Sequence, residues 1–145
     1  MAAKPAIKLI AALMISILIT ATSLAGVRAQ EEGEVERWLE WARIAWSYFD
    51  PGIGVSPDTG LPRASRYWST VTDWDLAGYI IATIYAERMG ILPREGRWGA
   101  MDRLEKVLRF LETRKLTPYG IPAWGYSSET GEPKTGATTN VSDFG

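Results

Sequence analysis

Asp58-Thr59-Gly60-Leu61-Pro62-Arg63-Ala64-Ser65-Arg66-Tyr67-Trp68-Ser69-Thr70-Val71-Thr72-Asp73-Trp74-Asp75-Leu76 runs from a turn straight into an apolar helix. Asp58-Thr59-Gly60 is turn chemistry, because Asp bonds its own downstream backbone and Gly tolerates positive φ. Thr72 and Asp73 both suit the N-cap of the helix that follows. Asp75 then falls in the first helical turn, where the helix dipole favours a carboxylate. Tyr67, Trp68 and Trp74 thus surround two carboxylates, Asp73 and Asp75, at one helix mouth. Aromatic faces beside carboxylates suit sugars, whose C–H faces stack on rings. The same residues also read as an N-capped helix with core aromatics.

Outward from this stretch the chain reads as three helices. The first spans about Glu34 to Phe49, with Val35, Trp38, Leu39, Ala42, Ala45, Trp46 and Phe49 on one face. Asp50-Pro51-Gly52 ends it. The second spans Asp73 to Met89 and is apolar nearly all round, so burial on most sides is expected. Gly90 with Ile91-Leu92-Pro93 is a helix stop. The third spans Arg97 to Thr113, with a narrow stripe of Met101, Leu104, Leu108 and Leu111 that Val107 and Phe110 widen. Its charges, Arg103 and Glu105 among them, read as a solvated face. From Lys115 onward Gly and Pro give a long loop, or a short hairpin of Ile121–Ser127 with Glu132–Thr138 turning at Glu129-Thr130-Gly131. Asn140 to Gly145 looks like the opening of another helix.

At the N-terminus Lys4 and Lys8 precede an uncharged run of 19 residues, Leu9 to Val27, and a small-x-small Val27-Arg28-Ala29. That is the layout of a secretory signal peptide over residues 1–29. The run also reaches the lower length of a membrane span, so a signal anchor through residues 9–27 is the alternative. The expected protein is secreted or extracytoplasmic, with residues 30–145 as its domain. Without residues 1–29, which hold Lys4, Lys8, Arg28 and no acid, 13 basic residues face 17 acidic ones, for a net charge of −4. That balance argues against nucleic acid as a partner.

The chain has no Cys and no His. Disulfides, Ser-His-Asp triads, Cys-His pairs and His-ligated zinc are therefore excluded. Acid–base chemistry must use carboxylates, Tyr or Lys. No phosphate-binding glycine loop or dinucleotide fingerprint is present, and no cofactor is expected. Asp50, Asp58 and Thr59 do not match the EF-hand spacing, and no metal is expected. Asn140-Val141-Ser142 is a glycosylation sequon.

Five short motifs carry a resemblance: D-T-G-L from Asp58, T-D-W-D-L-A-G-Y from Thr72, A-E-R-M-G-I-L from Ala86, Y-S-S-E-T-G-E-P from Tyr126 and N-V-S-D-F-G from Asn140. In order and spacing they resemble the opening of a bacterial and archaeal family known as domain of unknown function 3131, over roughly Glu36 to Gly145. That family in turn resembles glucoamylase-like α/α toroids, which include β-glucan-degrading glycoside hydrolases. One departure is Asp73, at a position where the family usually carries an apolar residue. The resemblance implies an all-α fold, part of a six-hairpin α/α toroid with about three helices and a long C-terminal loop or short hairpin. Helix two would be of the inner ring and helix three of the outer. Three helices leave one side of such a ring open, so a chain truncated at its C-terminus is expected, or one completed by a second chain. A genuine small three-helix domain is the alternative.

Glycoside hydrolysis needs two carboxyl groups, about 5–5.5 Å apart for retention or about 6.5–9.5 Å for inversion. Asp58, Asp73, Asp75, Glu129 and Asp143 are available. Asp75 and Asp143 open helices in stretches that match the family, which makes them the expected catalytic pair. Trp68, Asp73, Trp74, Trp124 and Tyr126 are the expected contacts for an oligo- or polysaccharide. For each, capping or packing is the alternative duty; for Asp58 and Glu129, in turns, it is the expected one. The functional expectation is an exported glycan-processing or glycan-binding domain. The alternatives are a non-catalytic membrane-tethered envelope module and an inert truncated product.

Overall fold

The structure is a computed structural model, and it describes residues 33–134. The expected signal segment, Asp143 and the sequon at Asn140 lie outside the described residues. The chain divides into two units between Trp41 and Ala42. The described part of the first unit is residues 33–41, the start of a helix (α1) over 33–46. There the Trp38 and Trp41 rings meet edge to face at 5.0 Å.

In the second unit α1 passes into a 3-10 turn, Ser47–Phe49. Asp50 then turns to extended backbone, φ −66 and ψ 139, as the residue before a proline prefers. Helix α2 is Asp73–Arg88 and helix α3 is Ala100–Thr113. A two-residue strand before α2, β1 (Thr70–Val71), pairs antiparallel with β2 (Tyr126–Ser127), in the register Thr70↔Ser127 and Val71↔Tyr126. This small sheet corrects the all-α expectation. Thr70 and Val71 are both buried, so their backbone groups need partners, and the chain after α3 supplies them. The expected turn at Glu129-Thr130-Gly131 does form: Gly131 N–H donates to Ser127 O at 2.8 Å and Ser127 N–H to Glu132 O at 2.8 Å. What the hairpin reading missed is that β2 also pairs with β1.

Sequence chemistry sets the ends of α2. Thr72 and Asp75 make a reciprocal capping box at its start. At its end Gly90 takes φ +70, and Ile91 N–H reaches back to Ala86 O at 2.8 Å, a Schellman closure. Helix α3 begins three residues later than Arg97, because Trp98 holds a left-handed φ of +66. The Asp102 carboxylate accepts from Trp98 N–H at 2.8 Å. Lys106 and that N–H hold the Asp102 carboxyl below its ordinary range.

The core gathers Val55, Leu61, Val71, Leu76, Tyr79, Val107, Ala123 and Tyr126, with Trp46, Phe49 and Phe110 packed against it. Two expectations about helix faces are corrected. Helix α2 buries only Leu76, Tyr79, Thr83 and Ala86. Helix α3 buries Ala100, Arg103 and Val107, while Met101 and Leu108 of its expected apolar stripe are exposed. Arg103, expected on the solvated face, is 3% exposed. It donates to Trp98 O at 2.7 Å, Phe49 O at 2.8 Å and the Tyr79 hydroxyl at 2.9 Å. Its guanidinium lies over the Trp46 and Trp98 rings, 5.2 and 5.4 Å from their centroids.

Candidate functional site

The loop between α1 and α2 is held by two turns that lock together. Ser56 N–H donates to Leu61 O and Gly60 N–H to Ser56 O, closing the Asp58-Thr59-Gly60 turn. The Thr59 hydroxyl donates to Ser128 O. Glu129 accepts from the Ser56 hydroxyl at 3.0 Å, and from Arg63 Nε at 2.9 Å and Nη2 at 2.8 Å. Glu129 is thus engaged in joining the two turns, and Asp58 sits exposed at the edge of the first. The Gly60 backbone also lies against the Lys106 stem of α3, leaving no room for a Cβ.

From this base a tight hairpin rises, with Ala64 N–H bonded to Thr70 O at 2.8 Å and Trp68 N–H to Ser65 O at 3.1 Å. Tyr67 stands at its tip, 92% exposed, with the Arg66 guanidinium 5.8 Å from its ring. Trp68 is 51% exposed, and its ring lies 6.3 Å from that of Trp124, tilted 46°. The β1–β2 register aligns the residues before β2, Trp124 among them, with those opening α2. Trp74, on the first turn of α2, is 68% exposed.

Both carboxylates of the mouth are engaged. Asp75 Oδ2 accepts from Thr72 N–H and from the Thr72 hydroxyl, each at 2.8 Å. Asp73 pairs with Arg114, from the end of α3. Tyr48 is close enough to Asp75 for the carboxylate to act on its phenol: burial first, and the Asp75 charge second, push the phenol up from its ordinary value. The Tyr48 hydroxyl donates to Arg63 O at 2.9 Å. Tyr126 is not part of this surface. It lies in the core against Phe110, and its hydroxyl accepts from Ala123 N–H at 3.0 Å and donates to Lys115 O at 2.9 Å.

The structure therefore pairs Trp68 with Trp124, sets Asp73, Trp74 and Asp75 on the first turn of α2, and withdraws Tyr126. Sequence reasoning missed Tyr48 and Arg114. Arg114 carries no local signal, because its partner is 41 residues away. A separate open cleft of about 410 Å³ lies along α3, lined by Asp58, Thr130, Glu105, Lys106, Arg109 and Phe110 among others. Its charges are largely paired, Lys106 with Asp102 and Arg109 with Glu105. Among the described residues no three acidic side chains gather as a metal site would need.

No curated protein and no solved structure matches the chain. A family profile matches residues 40–145, from within α1 through both locked turns, the aromatic mouth and beyond. The chain belongs to the family described as Protein of unknown function (DUF3131).

Proposed function

We propose that the chain is an exported domain that binds glycans through the aromatic surface at the mouth of α2. The observation that carries this reading is the set of half- or more-exposed rings of Tyr67, Trp68 and Trp74, with Trp124 beside Trp68. Large rings left in water beside polar groups are what a sugar's C–H face and hydroxyls need. The basic start and uncharged run of Leu9–Val27 support export or a membrane tether. Among the described residues no helix is long and apolar enough to cross a membrane. An α/α toroid is the architecture we propose for the domain. Its support is the helical hairpin of α2 and α3 together with the apolar face that α2 leaves open.

Binding is favoured over turnover by the capping box, which already engages Asp75. Hydrolysis with Asp75 and Asp143 as the carboxyl pair is the second reading, favoured by the place of Asp75 next to the ring surface. Affinity electrophoresis and calorimetry against a panel of soluble polysaccharides test the first. At least one polysaccharide should be retained, and Trp68→Ala and Trp74→Ala should each weaken it about tenfold, the scale of one aromatic contact. Equal migration of wild type and both variants through every polysaccharide would remove the glycan surface. In Asp75→Asn, binding should survive with about 0.5–1 kcal/mol of lost stability. A turnover rate that exists and falls about 10²–10⁴-fold in that variant would move the assignment to catalysis.

A further inference from the structure

Helix α2 carries an apolar stripe on its open side. Trp74, Ile81 and Tyr85 are each more than half exposed, and Ala77, Gly78 and Arg88 are exposed with them. Trp74, Gly78, Ile81, Tyr85 and Arg88 follow one another at spacings of 4, 3, 4 and 3, the rhythm of a coiled-coil seam. Beside Tyr85 and Met89 the stripe borders a groove of about 200 Å³ that Ala42, Trp46, Phe49 and Ile91 line with apolar side chains. A contiguous apolar strip of this kind marks an interaction surface.

The stripe is self-complementary about Ile81. If two copies of α2 lie antiparallel across a two-fold axis at Ile81, residues equally far from it on either side face each other. Trp74 of one copy then meets Arg88 of the other, seven residues from the centre, and Ala77 meets Tyr85, four residues from it. Guanidinium meets indole face, and the notch at Ala77 and Gly78 receives the phenol ring. Arg88 is the one cation of α2, and no ion pair of the described residues engages it. The acids Asp73 and Asp75 stand at the other end of the helix. Antiparallel packing brings Arg88 of each copy to the acidic end of its partner and opposes the helix dipoles favourably. Parallel packing would set Arg88 on Arg88 and acid on acid. We infer that a second copy of this chain docks on the open face of α2, as an isologous antiparallel helix pair. Trp74 is common to this inference and the glycan reading, whereas the stripe from Gly78 to Arg88 is used by this inference alone.

The chain has no Cys, so one introduced thiol is a clean reporter. In the full-length chain, Ile81→Cys under mild copper–phenanthroline oxidation should give about tenfold more covalent dimer than Leu108→Cys, an equally exposed position on α3, because pairing raises the local thiol concentration. Mixing Ala77→Cys with Tyr85→Cys chains should cross-link, and neither should do so alone. Arg88→Glu in the Ile81→Cys chain should lower the yield. Sedimentation of the wild-type chain should show concentration-dependent dimer, which covers the case of a poorly folding thiol variant. Dimer from Ile81→Cys no greater than from Leu108→Cys would overturn the inference. So would cross-linking of Ala77→Cys alone, which is a parallel pair, or a thiol at position 81 closed to maleimide in a chain that sediments as monomer, which is another occupant on the face.

Discussion

Helix α2 buries one narrow stripe and leaves Trp74, Ile81 and Tyr85 in water, whereas α3 buries an arginine and leaves Met101 and Leu108 in water. The two helices differ in what surrounds them. Around α3, three segments present acceptors to one place: Phe49 O in the 3-10 turn after α1, Trp98 O in the turn before α3 and the Tyr79 hydroxyl on α2. A buried acceptor without a donor costs about 1–3 kcal/mol. One guanidinium between two indole rings answers all three, which is more than a leucine at that position can do. Around α2 no such set of acceptors exists among the described residues. Its burial is limited by how many neighbours reach it, and among the described residues these cover one side. The contrast teaches that the polarity of a helix face states what it can tolerate, while its neighbours decide which face goes in.

The largest test of this contrast is Arg103→Met. If α3 is anchored by its arginine, the substitution should cost on the order of 3–5 kcal/mol in urea unfolding, because one buried and two half-buried acceptors lose their donor together. A loss within about 0.5 kcal/mol, the range of an ordinary surface position, would return Arg103 to the solvated face.

Next in size is Tyr79→Phe, which removes one of the three acceptors and a titrating group. Burial pushes the Tyr79 phenol up, against the lowering pull of Arg103. A group whose folded value is raised gives stability that is whole below its unfolded value and is lost as pH rises through the folded one. Wild type should therefore lose melting temperature above about pH 10. Tyr79→Phe should start about 1 kcal/mol less stable and fall less steeply over that window. Parallel alkaline profiles for the two proteins would show that Tyr79 does not titrate in the core.

The smallest expected effect is on the open side of α2. At concentrations where the chain sediments as monomer, Ile81→Gln should change stability by no more than about 0.5 kcal/mol, despite removing a large aliphatic group from a helix apolar all round. Loss of 2 kcal/mol or more, about that of emptying a core site, would mean that the face is covered within the folded chain.

Both ends of α2 were legible in the chain itself. Thr72 with Asp75 and Gly90 with Ile91 act within a few residues of each other, so their chemistry needs no tertiary context. The turn at Glu129-Thr130-Gly131 was legible for the same reason. The strand pairing was not, because Thr70 and Tyr126 are distant in sequence and two residues are too few for an alternating pattern to register. Of the candidate site, the aromatics before and at the start of α2 were readable from their place in a loop and a first helical turn. Tyr126 could not be separated from them, since a ring in a Gly-rich segment looks alike whether it faces water or core. Arg103 left one usable trace. Ala100, Arg103, Val107 and Phe110 keep a 3-and-4 spacing through a charged residue, competing with the stripe of Met101, Leu104 and Leu108.

The sequence by itself determined which segments are helical, where α2 starts and stops, and that no His or Cys chemistry exists in the chain. Those properties depend on residue type and on neighbours a few positions away. Only the tertiary structure decided that Arg103 lies inside, that Glu129 ties two turns together, that Trp68 meets Trp124, and that one side of α2 stays open. Each of these depends on groups brought together from distant parts of the chain, and periodicity along a single helix carries no record of what stands across from it.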